Sequence, residues 1–272
     1  MKFKAICSDV DGTLLNSERD LSPRLKNLIK SLSPEIPVIL ASSRMPDAMR
    51  HLLKDLGRES DPMVAYNGGL VLDGKGEVLE SVTIPLVLVK SIIEWTKKAE
   101  IHISLFHGEH WYEAKEDYWS KREIQNTKVN PTWMPTTEVL DLWTKDNLGA
   151  HKIMVMGESN DISWLFGELH LHHGKELHLY RSKDTYIEIA PRKISKATGL
   201  EVLLNARFDF GLEEVIAFGD NYNDIDLLQK VGWGVAVANA RPEVKAVANE
   251  VTLHHKEDGV AETLSRILES KK

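Results

Sequence analysis

The stretch that most constrains this chain is FKAICSDVDGTLL, Phe3 to Leu15. Phe3 to Val10 is apolar and β-prone with almost no alternation, the pattern of a strand covered on both faces. Its end is abruptly acidic. Asp9 and Asp11 stand two residues apart where the strand gives way to Gly12 and Thr13, so both can leave the carboxyl edge of a sheet. Open α/β sheets hold ligands along that edge. Two acids so close repel each other, a cost that a cation or a shared proton would offset. One reading is chemical: Asp9 is a nucleophile able to accept and release a phosphoryl group, and Asp11 is an acid/base. The other is a strand ending in a polar Asp-Gly turn. A calcium EF-hand loop also opens D-x-D, but Thr13 and Leu14 stand where it needs an acidic or amide residue and a glycine.

The 272 residues suffice for two domains. A net charge of -7 leaves no basic footprint for nucleic acid or an anionic membrane surface. The single cysteine, Cys7, excludes an internal disulfide and fits a reducing cytoplasm; inside the first apolar strand it reads as a small buried hydrophobe. MKFKAICSD has no long apolar region before its first acid, as a signal peptide would, and no apolar run approaches a membrane span. The expectation is a cytoplasmic monomer or small homo-oligomer whose partner is a small molecule.

Ser22-Pro23 caps and opens an amphipathic helix to about Leu32. Ile36 to Ala41 is a second apolar strand, and Pro46 opens a helix to about Leu56. Met63 to Tyr66 is a third strand, ending in Asn67-Gly68-Gly69. Strand, loop, helix in repetition is the grammar of a parallel sheet with right-handed crossovers. The grammar then changes. A hairpin over Leu70 to Leu72 and Val78 to Val82 is followed by helices at Pro85 to Ala99, Asp117 to Gln125 and Ser159 to Leu169, the last capped by Ser159. Strands are predicted at Ile101 to Phe106, His110 to Ala114, His151 to Met156, Leu177 to Arg181 and Tyr186 to Ala190. The piece holding Pro131, Pro135 and several tryptophans reads as irregular. The first pattern resumes with a helix over Ser195 to Ala206, a strand at Val215 to Phe218, a helix over Asp224 to Val231, a strand at Val235 to Ala238, a helix started by Pro242, and a closing helix over Glu257 to Glu269. The predicted class is α/β: a doubly wound parallel-sheet core of residues 1–83 and 191–272 with an inserted α+β lobe, 84–190.

Other pieces of a site follow the strand ends. Ser42 puts a hydroxyl and backbone N–H groups ahead of a helix N-terminus, a place that favours an anion, although serine there is commonly just a cap. Arg44 could hold a substrate anion or pair with an acid. Lys196 starts a helix, where the dipole disfavours a cation; a nearby phosphate would offset that, and a solvated surface lysine is the plain alternative. In FGDNYNDIDLL, Phe218 to Leu228, a second buried strand delivers Asp220, with Asn223 and Asp224 at the next helix. Carboxylates from two strand ends can share one Mg²⁺. Helix capping would explain Asp224 but not Asp220 as well.

Taken in order, SDVDGTLL, ASSR, a lysine at a helix start and GDNYNDI resemble the haloacid dehalogenase superfamily of phosphohydrolases. The lobe inserted after ASSR looks like the class IIB cap of its Cof-type sugar-phosphatase branch. The resemblance implies a Rossmann-like core and Mg²⁺-dependent hydrolysis of small phosphate monoesters, sugar phosphates first, through an aspartyl phosphate. It implies Asp9 as nucleophile and metal ligand, and Asp11 as an acid/base whose backbone carbonyl touches the metal. Lys196 would steady nucleophile and phosphate, and Asp220 would bind the metal directly. Ser42 matches the phosphate-binding hydroxyl, with Gly12, Ser43 and Arg44 counted among the substrate contacts. Asn223 and Asp224 would orient phosphate and metal waters, and Asn67 and Gly68 match a loop near the substrate. Two departures, ASSR for ATGR and Lys196-Ala197 for Lys-Gly, bear on substrate shape rather than chemistry.

The implied cap would close over the site, where Lys115, Glu116, His107, His110 and Trp111 could line a sugar pocket. His170, His172, His173 and His178, on an expected turn, read as a solvated face rather than a zinc site. A phosphomutase would release an isomerised sugar phosphate instead of free phosphate. A non-catalytic binding protein on the same scaffold is the remaining alternative, and the joint presence of Asp9, Asp11, Lys196 and Asp220 argues against it.

Overall fold

The computed structural model describes residues 3–99 and 101–269. They form two compact units, one reaching to Glu80 and resuming at Ser195, the other spanning Ser81–Ile194. The chain begins with β1 (Ala5–Ser8), α1 (Pro23–Ser31), β2 (Val38–Ala41), α2 (Asp47–Asp55), β3 (Met63–Ala65), β4 (Leu70–Leu72) and β5 (Val78–Ser81). The Ser81–Ile194 unit contributes α3 (Leu86–Lys98), β6 (His102–His107), β7 (His110–Glu113), α4 (Tyr118–Thr127), β8 (Thr132–Trp133), α5 (Thr136–Lys145), β9 (Lys152–Met156), α6 (Ser159–His173), β10 (Leu177–Lys183) and β11 (Tyr186–Pro191). The first unit is completed by α7 (Lys196–Arg207), β12 (Val215–Gly219), α8 (Ile225–Lys230), β13 (Trp233–Ala236), α9 (Pro242–Val247), β14 (Glu250–Val251) and α10 (Gly259–Glu269).

The first unit is the expected doubly wound α/β core. Its strands lie in the order β14-β13-β12-β1-β2-β3-β4-β5. From β14 to β3 all neighbours are parallel, and β4 runs against β3. β1 therefore sits between β12 and β2, where the winding reverses. Such a point leaves a crevice at the carboxyl ends of the strands. Every residue of β1, β2 and β12 is buried, which is why their sequences run apolar without alternation. Cys7 is buried there too, and burial pushes its thiol up to about 12, away from any nucleophilic role.

The other unit is a six-stranded sheet in the order β10-β11-β9-β6-β7-β8. Residues of α3, α5 and α6 pack on Leu105, Ile153, Val155, Ile187 and Ile189 to make its core. Three sequence expectations are corrected here. The stretch read as irregular contains β8 and α5. Pro135 immediately precedes that helix, where its missing N–H costs nothing, and Val139 and Trp143 carry α5 into the core. The His170 to His173 run lies on the last turn of α6 rather than on a turn of its own. Glu158, not Ser159, precedes the first residue of that helix, with no side-chain cap. Smaller offsets occur at β13, which lies two residues earlier than expected, and at α10, which begins at Gly259 after a short turn at His255–Glu257. Among the described residues no helix is long and apolar enough to cross a membrane.

Candidate active site

Register places the ends of β1 and β12 side by side: Ser8 lies opposite Phe218, and the Asp9 N–H donates to the Phe218 carbonyl at 3.0 Å. After Asp9 the chain makes a wide turn closed by the Leu15 N–H on the Val10 carbonyl (3.1 Å). Gly12 takes φ 81° in this turn, and a Cβ on it would stand 2.6 Å from Asp220 Oδ2. Glycine thus admits the second acid to the loop of the first. Thr13 Oγ1 donates to Asp220 Oδ1 at 3.2 Å, and Asn239 Nδ2 donates to the Gly12 carbonyl at 2.7 Å.

Lys196 opens α7 and is wholly buried. Its ammonium donates to Asp9 Oδ1 at 2.5 Å and to Asp224 Oδ1 at 2.7 Å. Asp224 Oδ2 accepts the backbone N–H groups of Asp220 (2.9 Å) and Asn221 (3.0 Å), so both its oxygens carry hydrogen bonds. One oxygen each of Asp9, Asp220 and Asp224 lie within 4.8 Å of one another. Three carboxylates against one ammonium leave an excess of negative charge. Burial, opposed by Lys196 and reinforced by Asp224 and Asp220, holds Asp9 well above the usual carboxylate range. Burial and Asp224 push Asp220 up to about 6 against Lys196 and the Thr13 hydroxyl. Burial pulls Lys196 down, but Asp224 and Asp9 outweigh it and hold the ammonium firmly protonated. Such a site favours a divalent cation: the donors are all hard oxygens, and the ion would neutralise the surplus charge.

Asp11 does not join this cluster through its side chain, contrary to the simple expectation that both acids face the same way. Its Oδ2 accepts Arg44 Nε (2.6 Å), and its Oδ1 accepts Arg44 Nη2 (2.8 Å) and Arg19 Nη2 (2.6 Å). Burial raises its pKa, but the bonds and charge of Arg44, with Arg19 and Lys196 behind them, bring it below the ordinary value. Arg44 is buried and also donates Nη1 to the Ala48 carbonyl (3.0 Å). Arg19 went unnoticed in the sequence. A turn in which Asn16 Oδ1 accepts the N–H groups of Glu18 and Asp20, both at 3.0 Å, holds it at φ 61°. The Asn and Asp of that turn were the available signal.

Ser42 is buried at the end of β2, its hydroxyl accepting the Arg44 N–H at 3.3 Å, and Ser43 is half-buried beside it. Asn223 Nδ2 donates to Asn67 Oδ1 at 2.9 Å, and Gly68 lies against the start of α7. Of the residues conjectured for a sugar pocket, His107 and His110 face each other across β6 and β7. Trp111 is buried and donates to Glu113 (2.8 Å), while Glu116 pairs with Lys121 on the surface (2.8 Å). Among the described residues the three aspartates are the only metal-type cluster, so the histidines form none.

The profile of the haloacid dehalogenase-like hydrolases matches residues 6–264. This chain belongs to that family. A Haemophilus influenzae protein provisionally named a phosphatase is 33% identical over 268 residues, covering 96% of this chain and 97% of its own length. The 5-amino-6-(5-phospho-D-ribitylamino)uracil phosphatase of Bacillus subtilis is 28% identical over 269 residues, 96% of this chain and 94% of its own. Among solved structures, a haloacid dehalogenase-like hydrolase from Bacteroides thetaiotaomicron has TM-score 0.88 and 29% identity, covering 98% of this chain and all of that one. As a haloacid dehalogenase-like hydrolase with phosphatases for relatives, the protein is itself a phosphatase.

Proposed function

We propose that this haloacid dehalogenase-like phosphatase hydrolyses small phosphate monoesters, sugar phosphates foremost, with Mg²⁺ and through a phosphoaspartate at Asp9. The observation that carries the reading is the convergence of Asp9, Lys196, Asp220 and Asp224 at the carboxyl ends of two adjacent strands. Lys196 occupies one oxygen of Asp9, and the other receives no hydrogen bond from the described residues, which suits it to attack. In the first step an Asp9 oxygen forms a bond to phosphorus while the ester oxygen departs with a proton from Asp11. In the second, water attacks the phosphoaspartate, its proton passes to Asp11, and phosphate leaves with Asp9 restored. Mg²⁺, held by Asp9, Asp220, Asp224 and the Asp11 backbone carbonyl, would supply charge neutralisation of the transferring phosphoryl group. Ser42, Asn223 and Lys196 would hold its oxygens. One Asp11 oxygen must come free of its arginines for either proton transfer. Residues 1–83 and 191–272 would carry the chemistry and 84–190 the choice of leaving group.

The test is phosphate release from a panel of sugar phosphates, nucleotides and p-nitrophenyl phosphate, with and without Mg²⁺. Turnover is expected to need the ion and to fall by about a thousandfold or more in Asp9→Asn. Ion-independent turnover, or an Asp9→Asn enzyme near the wild-type rate, would overturn the mechanism. The ribityl phosphate ester in the name of the Bacillus subtilis relative makes sugar-alcohol phosphates a natural part of the panel.

A further inference from the structure

Tyr66, Asn67 and Gly68 follow one another with φ of 50°, 57° and 98°. Glycine enters this left-handed region freely and asparagine tolerates it, but a buried tyrosine does so only where its surroundings compel it. The surroundings are specific. The N–H groups of Tyr66 and Asn67 donate to the carbonyls of Arg44 (3.1 Å) and Ser42 (2.8 Å), tying the loop to the end of β2. On the other side a Cβ on Gly68 would stand 2.2 Å from the Ser195 carbonyl oxygen, and a Cβ on Gly199 would stand 2.8 Å from the Gly68 Cα. The loop is therefore seated on the first turn of α7, the turn that begins with Lys196. Its third attachment is the bond from Asn223 Nδ2 to Asn67 Oδ1, 2.9 Å. One strained loop thus joins the Ser42 segment, the Lys196 helix and the Asn223 turn.

We propose that Asn67 is a positioning residue that acts on the phosphate through Asn223 rather than by touching it. The amide of Asn67 accepts one N–H of Asn223, which sets the plane of that second amide and leaves its remaining N–H to meet an anion. The backbone of Asn67 holds the Ser42 segment in register with it. A residue needed merely for its backbone angle would be replaceable by glycine, which adopts φ near 57° at no cost. The inference rests on the phosphatase reading above, and its test separates the two.

The experiment measures kcat and KM for p-nitrophenyl phosphate and inhibition by inorganic phosphate in the full-length wild type, Asn67→Gly, Asn223→Ala and the double variant, with melting temperatures alongside. Wild-type turnover is required by the phosphatase reading, and its absence would defeat that reading first. Given turnover, Asn67→Gly should raise KM and the phosphate inhibition constant at least tenfold, with kcat and melting temperature changed far less. The double variant should be no worse than Asn223→Ala within about twofold, because both changes remove one interaction. Two outcomes would overturn the proposal: Asn67→Gly matching the wild type, which makes Asn67 a turn residue alone, or losses that multiply, which makes it an independent contact. If Asn67→Gly melts too low to assay, Asn67→Ser, a small neutral side chain too short to hold the Asn223 amide, replaces it in the cycle. There the proposal requires the loss caused by Asn67→Ser to disappear in the Asn223→Ala background, and a loss that persists overturns it.

Discussion

At the scale of single residues, burial and charge are inseparable in this site. Lys196 has no exposed side-chain surface, and Asp224 has none either, so their contact is shielded from solvent. Breaking a buried ion pair by removing one member typically costs about 3–5 kcal/mol, because the charge left behind has neither water nor partner. Lys196→Met is therefore expected to lower stability by about that amount, on top of any effect on turnover, with urea unfolding as the measurement. A loss under about 1 kcal/mol would mean the aspartates find other partners. Burial and charge also set what the sequence showed of the site and what it hid. Asp9, Asp220 and Lys196 stood out because each is a charge beside a strand end or helix start. Arg19 did not, because a surface arginine in a polar loop looks the same whether or not it reaches Asp11.

At the scale of elements, the inserted unit carries a polar knot of its own. His102 on β6 reaches Asp117 Oδ2 through Nδ1 (2.8 Å) and Glu113 Oε2 on β7 through Nε2 (3.0 Å). Asp117 in turn caps α4 by accepting the N–H groups of Trp119 (2.9 Å) and Ser120 (3.0 Å). Two strands and a helix start thus share one imidazole. Burial pulls the His102 pKa down, but Glu113 and Asp117 outweigh it and raise it above the usual value. A raised histidine stabilises the fold fully below its unfolded value of about 6.5, and that contribution fades as pH climbs through the higher folded value. Amide exchange protection in α4 should therefore weaken as pH is raised from about 6 to 9, after correction for the intrinsic exchange rate. In His102→Gln that pH dependence should vanish; if it persists, another group is responsible. None of this was legible beforehand. His102 is one of 11 histidines, and no spacing marks it out from those on α6. The helix α5 was likewise hidden, since proline and tryptophan in a short stretch do not declare a helical face.

At the scale of the whole molecule, the surplus of carboxylates predicts linkage between ion binding and folding. A ligand that binds the native state alone stabilises it by about 2.7 kcal/mol at a hundredfold excess over its dissociation constant. Mg²⁺ should accordingly raise the melting temperature and a chelator should reverse the rise, with or without substrate. Asp220→Asn, which removes one of the three charges, should abolish most of the shift. An equal shift in that variant would place the ion elsewhere.

What the sequence determined alone was the plan: buried strands, because both faces of each are covered and the runs are apolar, and acids at two of their ends, because nothing else explains charge there. The doubly wound core and the order of its parts follow from such local patterns. The tertiary structure decided which charges meet. Asp220 meets Asp9 because parallel pairing of β1 with β12 brings the two strand ends together, and Lys196, 187 positions from Asp9, reaches it because the start of α7 is seated against the loop after β3. Asp11 turns to Arg44 and Arg19 instead, because the turn at Gly12 carries it out of the cluster. Contacts of that range depend on register and loop geometry, which summed hydrophobic burial selects and no local run of residues encodes.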